Sequence, residues 1–140
     1  NGTFYWCKLF SNFIKNKHKG GTIVTIGSIA SQFGFEGRSA YTSSKTGING
    51  LTKVLSTELA QYNIRVNCVS PGFTETPLLE EKIKEGIINT KLMLKQNAIK
   101  RIAKPSEICA LIKFLLKNDS SYITGQNIFV DGGFINKKME

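Results

Sequence analysis

The segment that most constrains the fold covers residues 22–45 and reads TIVTIGSIASQFGFEGRSAYTSSK. It begins with a short apolar run rich in β-branched residues, breaks at Gly27 and Ser28, and passes through a loop that contains glycine. Helical character returns at Tyr41 and continues through Lys45. The segment therefore predicts a buried strand, a loop and a helix in that order.

Tyr41 and Lys45 lie four residues apart, so on a helix their side chains share one face. An ammonium group close to a phenol favours the phenolate, which a proton-transferring tyrosine requires. Ser28, at the mouth of the preceding strand, adds a hydroxyl, and the three groups together can polarise a carbonyl or alcohol oxygen. In a chain with 19 lysine and arginine residues such a pair also arises by chance, as a surface tyrosine beside a solvated lysine.

Strand and helix patterns alternate along the rest of the chain. Apolar periodicity predicts helices over residues 2–16, 39–62 and 105–116, and buried strands over residues 22–26, 64–69 and 127–130. The polar stretch 74–96 predicts two short helices that cover another part of the protein. The positions expected to face inward are Phe4, Leu9, Phe10, Phe13 and Ile14 in the first helix, Ile48, Leu51, Val54, Leu55 and Leu59 in the second, and Ile108, Leu111, Ile112 and Leu115 in the last.

This alternation implies right-handed crossovers and an α/β fold, with helices on both faces of a parallel sheet. Ligands of such sheets bind outside the carboxyl ends of the strands. Ser28 follows one such end, and Pro71 and Gly72 follow the next. The sequence therefore places the candidate chemistry at a single edge of the sheet.

Length and composition fit one globular domain, since the chain has 140 residues of which 41% are hydrophobic and 21% charged. No run approaches a membrane span, and the first residues lack a signal-peptide layout, so no membrane role is expected. Cys7, Cys68 and Cys109 are odd in number and lie among apolar residues, which predicts buried thiols without a disulfide framework or a metal site. Cytoplasm is the expected location.

The formal charge of +9 raises the question of nucleic acid. The cations Lys15, Lys17, His18 and Lys19 follow an apolar-patterned segment and precede a double glycine, where they complement the C-terminus of a helix. No nucleic-acid surface is therefore expected. A basic surface that favours an anionic substrate or an acidic carrier protein stays open.

Ser28, the Tyr41-x-x-x-Lys45 pair and the turn at Pro71 and Gly72 together resemble the signature of the short-chain dehydrogenase/reductase family. The resemblance implies a Rossmann-like doubly wound parallel sheet and an oxidoreductase that uses NADP or NAD to interconvert a carbonyl and an alcohol. It covers essentially all 140 residues, which correspond to the C-terminal half of a family member. The Gly-rich pyrophosphate turn, the residue that selects NAD or NADP and the Asn-Asn-Ala-Gly segment have no counterpart here. Residues 1–140 are therefore expected to be a partial NAD(P)-binding domain of a longer protein, which as a fragment would be inactive.

The resemblance also implies roles for individual residues. Tyr41 would be the acid/base, Lys45 would assist it and bind the nicotinamide ribose, and Ser28 would hold the substrate oxygen. The cofactor would also meet a second group, which consists of the backbone of Pro71, Gly72, Phe73 and Thr74 and the hydroxyl of Thr76. For Thr74 and Thr76 the alternative is that both only cap the following helix. Asn1 is not expected to be the family's catalytic asparagine, which would lie upstream.

Residues 122–125 (YITG) and 130–133 (VDGG) resemble the closing segment of 3-oxoacyl-[acyl carrier protein] reductases and of sugar or alcohol dehydrogenases. The best prediction is reduction of a 3-oxoacyl thioester, with a sugar or secondary-alcohol dehydrogenase as the alternative within the family. A non-catalytic fragment or interaction domain that lacks cofactor binding is the alternative from another class. The apolar residues of the first two helices predict a homodimer or homotetramer, and the stretch 74–96 is expected to determine the substrate.

Overall fold

The computed structural model describes residues 2–17 and 20–136, so Asn1, His18, Lys19 and residues 137–140 lie outside the described residues. The elements in chain order are α1 (Gly2–Lys17), β1 (Gly21–Ile26), α2 (Ser39–Leu59), β2 (Ile64–Pro71), α3 (Pro77–Lys84), α4 (Thr90–Gln96), α5 (Pro105–Leu116) and β3 (Asn127–Val130). Short 3₁₀ turns follow β1, α2 and α5. The two short helices predicted over residues 74–96 are present as α3 and α4.

The three strands form a parallel sheet in the order β1-β2-β3. Gly21 pairs with Ile64 and Ile26 with Val69, and the far end of β2 pairs with β3 from Cys68 to Pro71. Parallel neighbours require crossover connections, which α2 supplies between β1 and β2 and α3 to α5 supply between β2 and β3. The predicted α/β fold is confirmed, and all three carboxyl ends meet at one edge.

The core lies on both faces of β2. Leu59, Ile64 and Val66 form one buried cluster under α1 and α2, whereas Val69 joins Ile108 and Leu115 of α5 in the other. Side chains alternate between the faces of a strand, so residues 64 and 66 point to one face and residue 69 to the other. Helices therefore cover both faces, as predicted.

The inward face predicted for α2 is partly wrong. Val54 is exposed, and the buried positions include Thr52 and Ser56 beside Leu59. The Oγ1 atoms of Thr25 and Thr52 lie 2.9 Å apart in a hydrogen bond, and Thr52 Oγ1 also lies 2.9 Å from the Ile48 carbonyl oxygen. Small hydroxyl side chains let the helix approach the strands closely while each hydroxyl keeps a partner.

The inward face predicted for α1 is also wrong in part. Phe4, Leu9, Phe10 and Phe13 are exposed, whereas Cys7 and Ser11 are buried. Ser11 Oγ donates to the Cys7 carbonyl oxygen at 2.6 Å, which satisfies the buried hydroxyl. Of the predicted apolar positions, Ile14 packs against the core cluster under α1 and α2.

The prediction of buried thiols is correct for Cys7 and Cys68 and wrong for Cys109, which is exposed on α5. All three thiols are free, and burial raises the pKa of the Cys7 thiol. Within residues 2–17 and 20–136, none of the helices combines the length and the hydropathy needed to span a lipid bilayer.

Candidate functional site

Ser28 lies at the carboxyl end of β1, where the chain leaves the sheet. The Gly27 N–H donates to the Val69 carbonyl oxygen at 2.7 Å, which carries the strand alignment one residue beyond β1. Ser28 is 8% exposed, and its Oγ accepts a 3.1 Å hydrogen bond from the Ala30 N–H at the start of a 3₁₀ turn. Because Oγ acts there as an acceptor, its own proton stays available to a ligand oxygen.

Tyr41 and Lys45 lie on successive turns at the start of α2, as predicted. Lys45 Nζ is 5.8 Å from the centroid of the Tyr41 ring and donates a 2.9 Å hydrogen bond to the Ile26 carbonyl oxygen. Ile26 ends β1 and precedes Ser28 by two residues. Tyr41 is 44% exposed, so a ligand can reach its hydroxyl. The structure therefore brings the lysine charge, the phenol and the carboxyl end of β1 together.

Gly27 is required by its neighbours on β2. A Cβ at this position would contact Ser70 Oγ and would lie 2.8 Å from Cys68 Sγ. Ser70 Oγ in turn donates to Asn127 Oδ1 at 2.6 Å, which links β2 to β3. Close approach of two strands leaves room for glycine alone, so the turn that presents Ser28 is fixed by side chains beneath it.

Asn49 was not predicted from the sequence, although it lies four residues after Lys45 on the same stripe of α2. Cys68 Sγ lies 3.5 Å from Asn49 Oδ1 and donates to it. This contact connects α2 to the centre of β2. The repeat of four residues from Tyr41 through Lys45 to Asn49 is the sequence signal that could have identified it.

The turn predicted at Pro71 and Gly72 follows β2 at the same edge. The Gly72 N–H donates to the Val130 carbonyl oxygen at 2.9 Å, and a Cβ on Gly72 would lie 2.7 Å from Asp131 Cα. Phe73 comes next, and its ring centroid is 5.6 Å from that of Phe134. The Pro-Gly turn is therefore packed directly against the segment that follows β3.

Thr74 and Thr76 differ in what their hydroxyls do. Thr76 is the N-cap of α3, where Oγ1 accepts a 3.2 Å hydrogen bond from the Leu79 N–H. Thr74 Oγ1 instead donates to the Gly72 carbonyl oxygen at 3.2 Å. The capping alternative thus describes Thr76 and not Thr74. Since the Thr76 hydroxyl accepts in the cap, it keeps a proton for another acceptor.

The segment that returns from α4 to α5 ends in an ion pair. Glu107 receives two hydrogen bonds from Arg101, of 2.7 and 2.6 Å, and a third of 2.8 Å from the Lys104 N–H. These donors, the Arg101 guanidinium first, lower the pKa of the Glu107 carboxyl from 4.5 to about 2. Thr74 pairs with Ala103 just before this point. The ion pair therefore anchors one end of the stretch 74–104 beside the turn at Gly72.

Known proteins resemble this chain along most of its length. The family model described as enoyl-(acyl carrier protein) reductase matches residues 1–135. The 3-oxoacyl-[acyl-carrier-protein] reductase of Thermotoga maritima is 43% identical over 119 residues, which cover 85% of this chain and 47% of that protein. The dehydrogenase/reductase SDR family member 4 of Oryctolagus cuniculus is 44% identical over 121 residues, which cover 84% of this chain and 45% of that protein.

The fold matches solved structures equally well. A gluconate 5-dehydrogenase from Burkholderia cenocepacia, crystallised with NADP and tartrate, superposes with a TM-score of 0.84 at 26% identity. The match covers 91% of this chain and 49% of that one. The chain therefore spans about half the length of the curated relatives it matches.

Proposed function

The chain belongs to the short-chain dehydrogenase/reductase family, and from this premise we propose that the complete protein is a nicotinamide-dependent oxidoreductase that interconverts a carbonyl and an alcohol. One observation carries the proposal. Lys45 Nζ donates a hydrogen bond to the carbonyl oxygen of Ile26. The lysine charge therefore lies beside Tyr41, at the end of the strand that leads into Ser28. A phenol, a fixed cation and a hydroxyl at one edge suit proton transfer to a carbonyl oxygen.

In the direction of reduction, Tyr41 gives the proton of its hydroxyl to the carbonyl oxygen of the substrate. A reduced nicotinamide held beside Lys45 and the turn at Pro71 and Gly72 would supply the hydride for the carbonyl carbon. The C=O double bond becomes a single bond as the new C–H and O–H bonds form. Lys45 stabilises the phenolate that Tyr41 becomes, and the exposed tyrosine then regains a proton from water. Ser28 donates its free hydroxyl proton to the substrate oxygen and orients it.

The residues at the edge suit the nicotinamide end of a dinucleotide. The Lys45 ammonium and the Thr76 hydroxyl have protons to donate there, and the backbone of Pro71, Gly72, Phe73 and Thr74 follows the strand end beside them. We assign the cofactor as NADP or NAD. The NADP in the Burkholderia cenocepacia enzyme supports the former.

For the substrate we propose a 3-oxoacyl thioester on an acyl carrier, with a sugar or secondary alcohol as the alternative. The 43% identity to the Thermotoga maritima reductase supports the first, and the fold shared with gluconate 5-dehydrogenase supports the second. The formal charge of +9 suits an acidic carrier protein. We propose that the protein is cytoplasmic and that its partners include neither nucleic acid nor a membrane.

We also propose a homodimer or homotetramer. Phe4, Trp6 and Leu9 of α1 are all exposed, and an apolar surface of this kind is typical of an interface. Sedimentation of the complete protein at micromolar concentration tests this. A pure monomer would contradict it.

The function is tested with the complete gene product, reduced NADP or NAD, and acetoacetyl-coenzyme A as the 3-oxoacyl probe. Turnover is followed by the loss of reduced-nicotinamide absorbance, and oxidation of gluconate with the oxidised cofactors serves as the second arm. Reduction of the thioester supports the first substrate and oxidation of gluconate the second. If the protein neither turns over these probes nor binds either cofactor by fluorescence titration, the interaction-domain alternative is correct.

A further inference from the structure

Four phenylalanine rings from three segments meet at the carboxyl edge of the sheet. Phe33 and Phe35 lie in the loop between β1 and α2, Phe73 follows β2, and Phe134 follows β3. The Phe134 ring centroid is 5.4 Å from that of Phe33, 6.2 Å from that of Phe35 and 5.6 Å from that of Phe73. Phe134 is thus the central member of this group, which we call the phenylalanine cluster.

The segment after β3 holds Phe134 rigidly. The Asp131 carboxylate accepts hydrogen bonds of 2.9 Å from the Gly133 N–H and 3.0 Å from the Ile135 N–H. Gly132 and Gly133 both adopt left-handed φ angles, of +63° and +78°, which let the chain turn back beneath the carboxylate. The Gly132 carbonyl oxygen also accepts from the Ala98 N–H at 2.9 Å. Phe134 is therefore fixed from both sides and is 7% exposed.

The cluster borders the proposed reaction site through the chain itself. The loop that carries Phe33 and Phe35 begins at Ser28 and ends three residues before Tyr41. Its start is tied by the Phe33 N–H, which donates to the Ile29 carbonyl oxygen at 3.2 Å. Phe73 follows Gly72 directly. Along the chain the cluster therefore adjoins the segments that carry Ser28, Tyr41 and the turn at Gly72.

We propose that Phe33 forms, with the other rings behind it, the wall on which the carbon chain of the carbonyl substrate packs, so that the enzyme selects ketones with an apolar chain. Phe33 is 38% exposed while Phe134 is 7% exposed, so Phe33 offers the accessible surface and Phe134 is a positioning residue. Burial of methylene groups against aromatic carbon lowers the free energy of the complex, whereas a hydroxylated chain finds no hydrogen-bond partner there. This inference rests on the proposed function and narrows its substrate.

The test uses the complete gene product and a series of methyl ketones from 2-butanone to 2-octanone. The slope of kcat/KM against chain length reports contact with the chain, and burial of each methylene raises kcat/KM by up to about fourfold. We expect a rising slope in the wild type and a flattened slope in Phe33→Ala. The matched control is Phe114→Ala, because Phe114 is 39% exposed on α5 at the opposite edge of the sheet. The carbonyl oxygen of the next residue, Leu115, accepts a hydrogen bond from Arg65 at that edge. Phe114→Ala should keep the wild-type slope.

Phe134 is tested by rescue. Phe134→Ala should flatten the slope even if its unfolding temperature is restored by a stabilising solute, whereas Phe134→Leu, which still fills the centre of the cluster, should recover most of it. A purely structural role would lower kcat/KM equally for every ketone and leave the slope unchanged. That result, or an unchanged slope in Phe33→Ala, would overturn the proposal.

Failure of the proposed function is kept distinct by a binding measurement that needs no turnover. Saturation-transfer NMR with 2-octanone should show transfer to the alkyl chain in the wild type and in Tyr41→Phe, and reduced transfer in Phe33→Ala. If no ketone is reduced but this pattern is found, the oxidoreductase assignment fails and the apolar wall stands. If transfer is the same in wild type and Phe33→Ala, the apolar wall is rejected whether or not the protein turns over.

Discussion

Lys45 Nζ lies 2.9 Å from the carbonyl oxygen of Ile26, and this hydrogen bond joins the second turn of α2 to the last residue of β1. A lysine held in this way is not a freely solvated surface cation. The hydrogen bond fixes the positive charge of Lys45 5.8 Å from the ring centroid of Tyr41. Ile26, which accepts this hydrogen bond, precedes Ser28 by two residues. The three groups whose roles we propose are therefore linked by one contact between a helix and a strand end.

Replacing Tyr41 by Phe should remove turnover and leave the fold intact. The substitution removes one hydroxyl from an exposed side chain, whereas loss of a proton donor in the transition state commonly lowers kcat about 10²- to 10⁴-fold. Steady-state kinetics of the complete protein and its unfolding temperature measure the two effects. Tyr62→Phe is the control, because Tyr62 also has a lysine over its ring, Lys15 at 4.6 Å, but lies after α2 at the other end. Wild-type turnover in Tyr41→Phe would reject the assignment of the acid/base.

Elements with dense local signals were predicted closely. The helix Pro105–Leu116 and the strand Asn127–Val130 have the predicted bounds, since a proline at the first turn and closely spaced aliphatic residues mark the helix. The strand Ile64–Pro71 runs two residues beyond its predicted end, because Ser70 and Pro71 pair with β3. That pairing joins residues almost sixty positions apart, which local patterns do not report.

The site was predictable where its parts lie close in sequence. Ser28, Tyr41 and Lys45 fall at the expected edge, since one strand, one loop and one helix connect them. The buried pair Thr25 and Thr52 was missed because its hydrogen bond joins β1 to α2, and local patterns do not report contacts between elements. The phenylalanine cluster was missed for the same reason, as its members come together only when all three strands are aligned.

Replacing Gly27 by Ala should destabilise the protein by about 1–3 kcal/mol, the usual cost of overpacking a well-filled site. The added Cβ would contact Ser70 Oγ and lie 2.8 Å from Cys68 Sγ. Denaturant unfolding measures the change, and adding Ser70→Ala should recover part of the loss because the closest atom is removed. Gly47→Ala is the control, since a Cβ there meets nothing within 4 Å and alanine favours a helix. Strict additivity of Gly27→Ala and Ser70→Ala would contradict the contact.

Stability should depend on pH through Glu107, whose pKa is lowered from 4.5 to about 2 by Arg101 and the Lys104 N–H. A carboxyl with a depressed pKa in the folded state stabilises that state above its unfolded pKa, and the contribution is lost as the pH falls toward the folded value. Glu107→Gln should therefore unfold at a lower temperature than wild type near neutral pH, and the difference should shrink as the pH falls from about 5 to about 2.

Thermal unfolding of both proteins across this range measures the effect. Glu85→Gln is the matched control, because Glu85 makes a single surface contact of 2.8 Å with Lys82 and such pairs contribute little. A temperature difference for Glu107→Gln that does not change with pH would show that the ion pair is not its cause.

The segment that contains α3 and α4 should act as a lid over the proposed site. Leu78, Ile87 and Leu92 are exposed, and Met93 is the buried residue of the two helices. Gly86 separates the helices with a left-handed φ of +72°. Since few apolar side chains of the segment are buried, little free energy holds it in place without ligand. Its first residues are held where Thr74 pairs with Ala103.

Amide hydrogen exchange of the complete protein decides whether the lid closes. Residues 83–94 should exchange rapidly without ligand and become protected when a nicotinamide cofactor and a ketone are both added, while strand residues 64–69 stay protected throughout. The amides of α5 serve as the helical control, because Ile108 and Leu115 pack in the core and should not respond to ligand. If residues 83–94 are as protected as residues 64–69 in the absence of ligand, α3 and α4 are a rigid pair and the lid is ruled out.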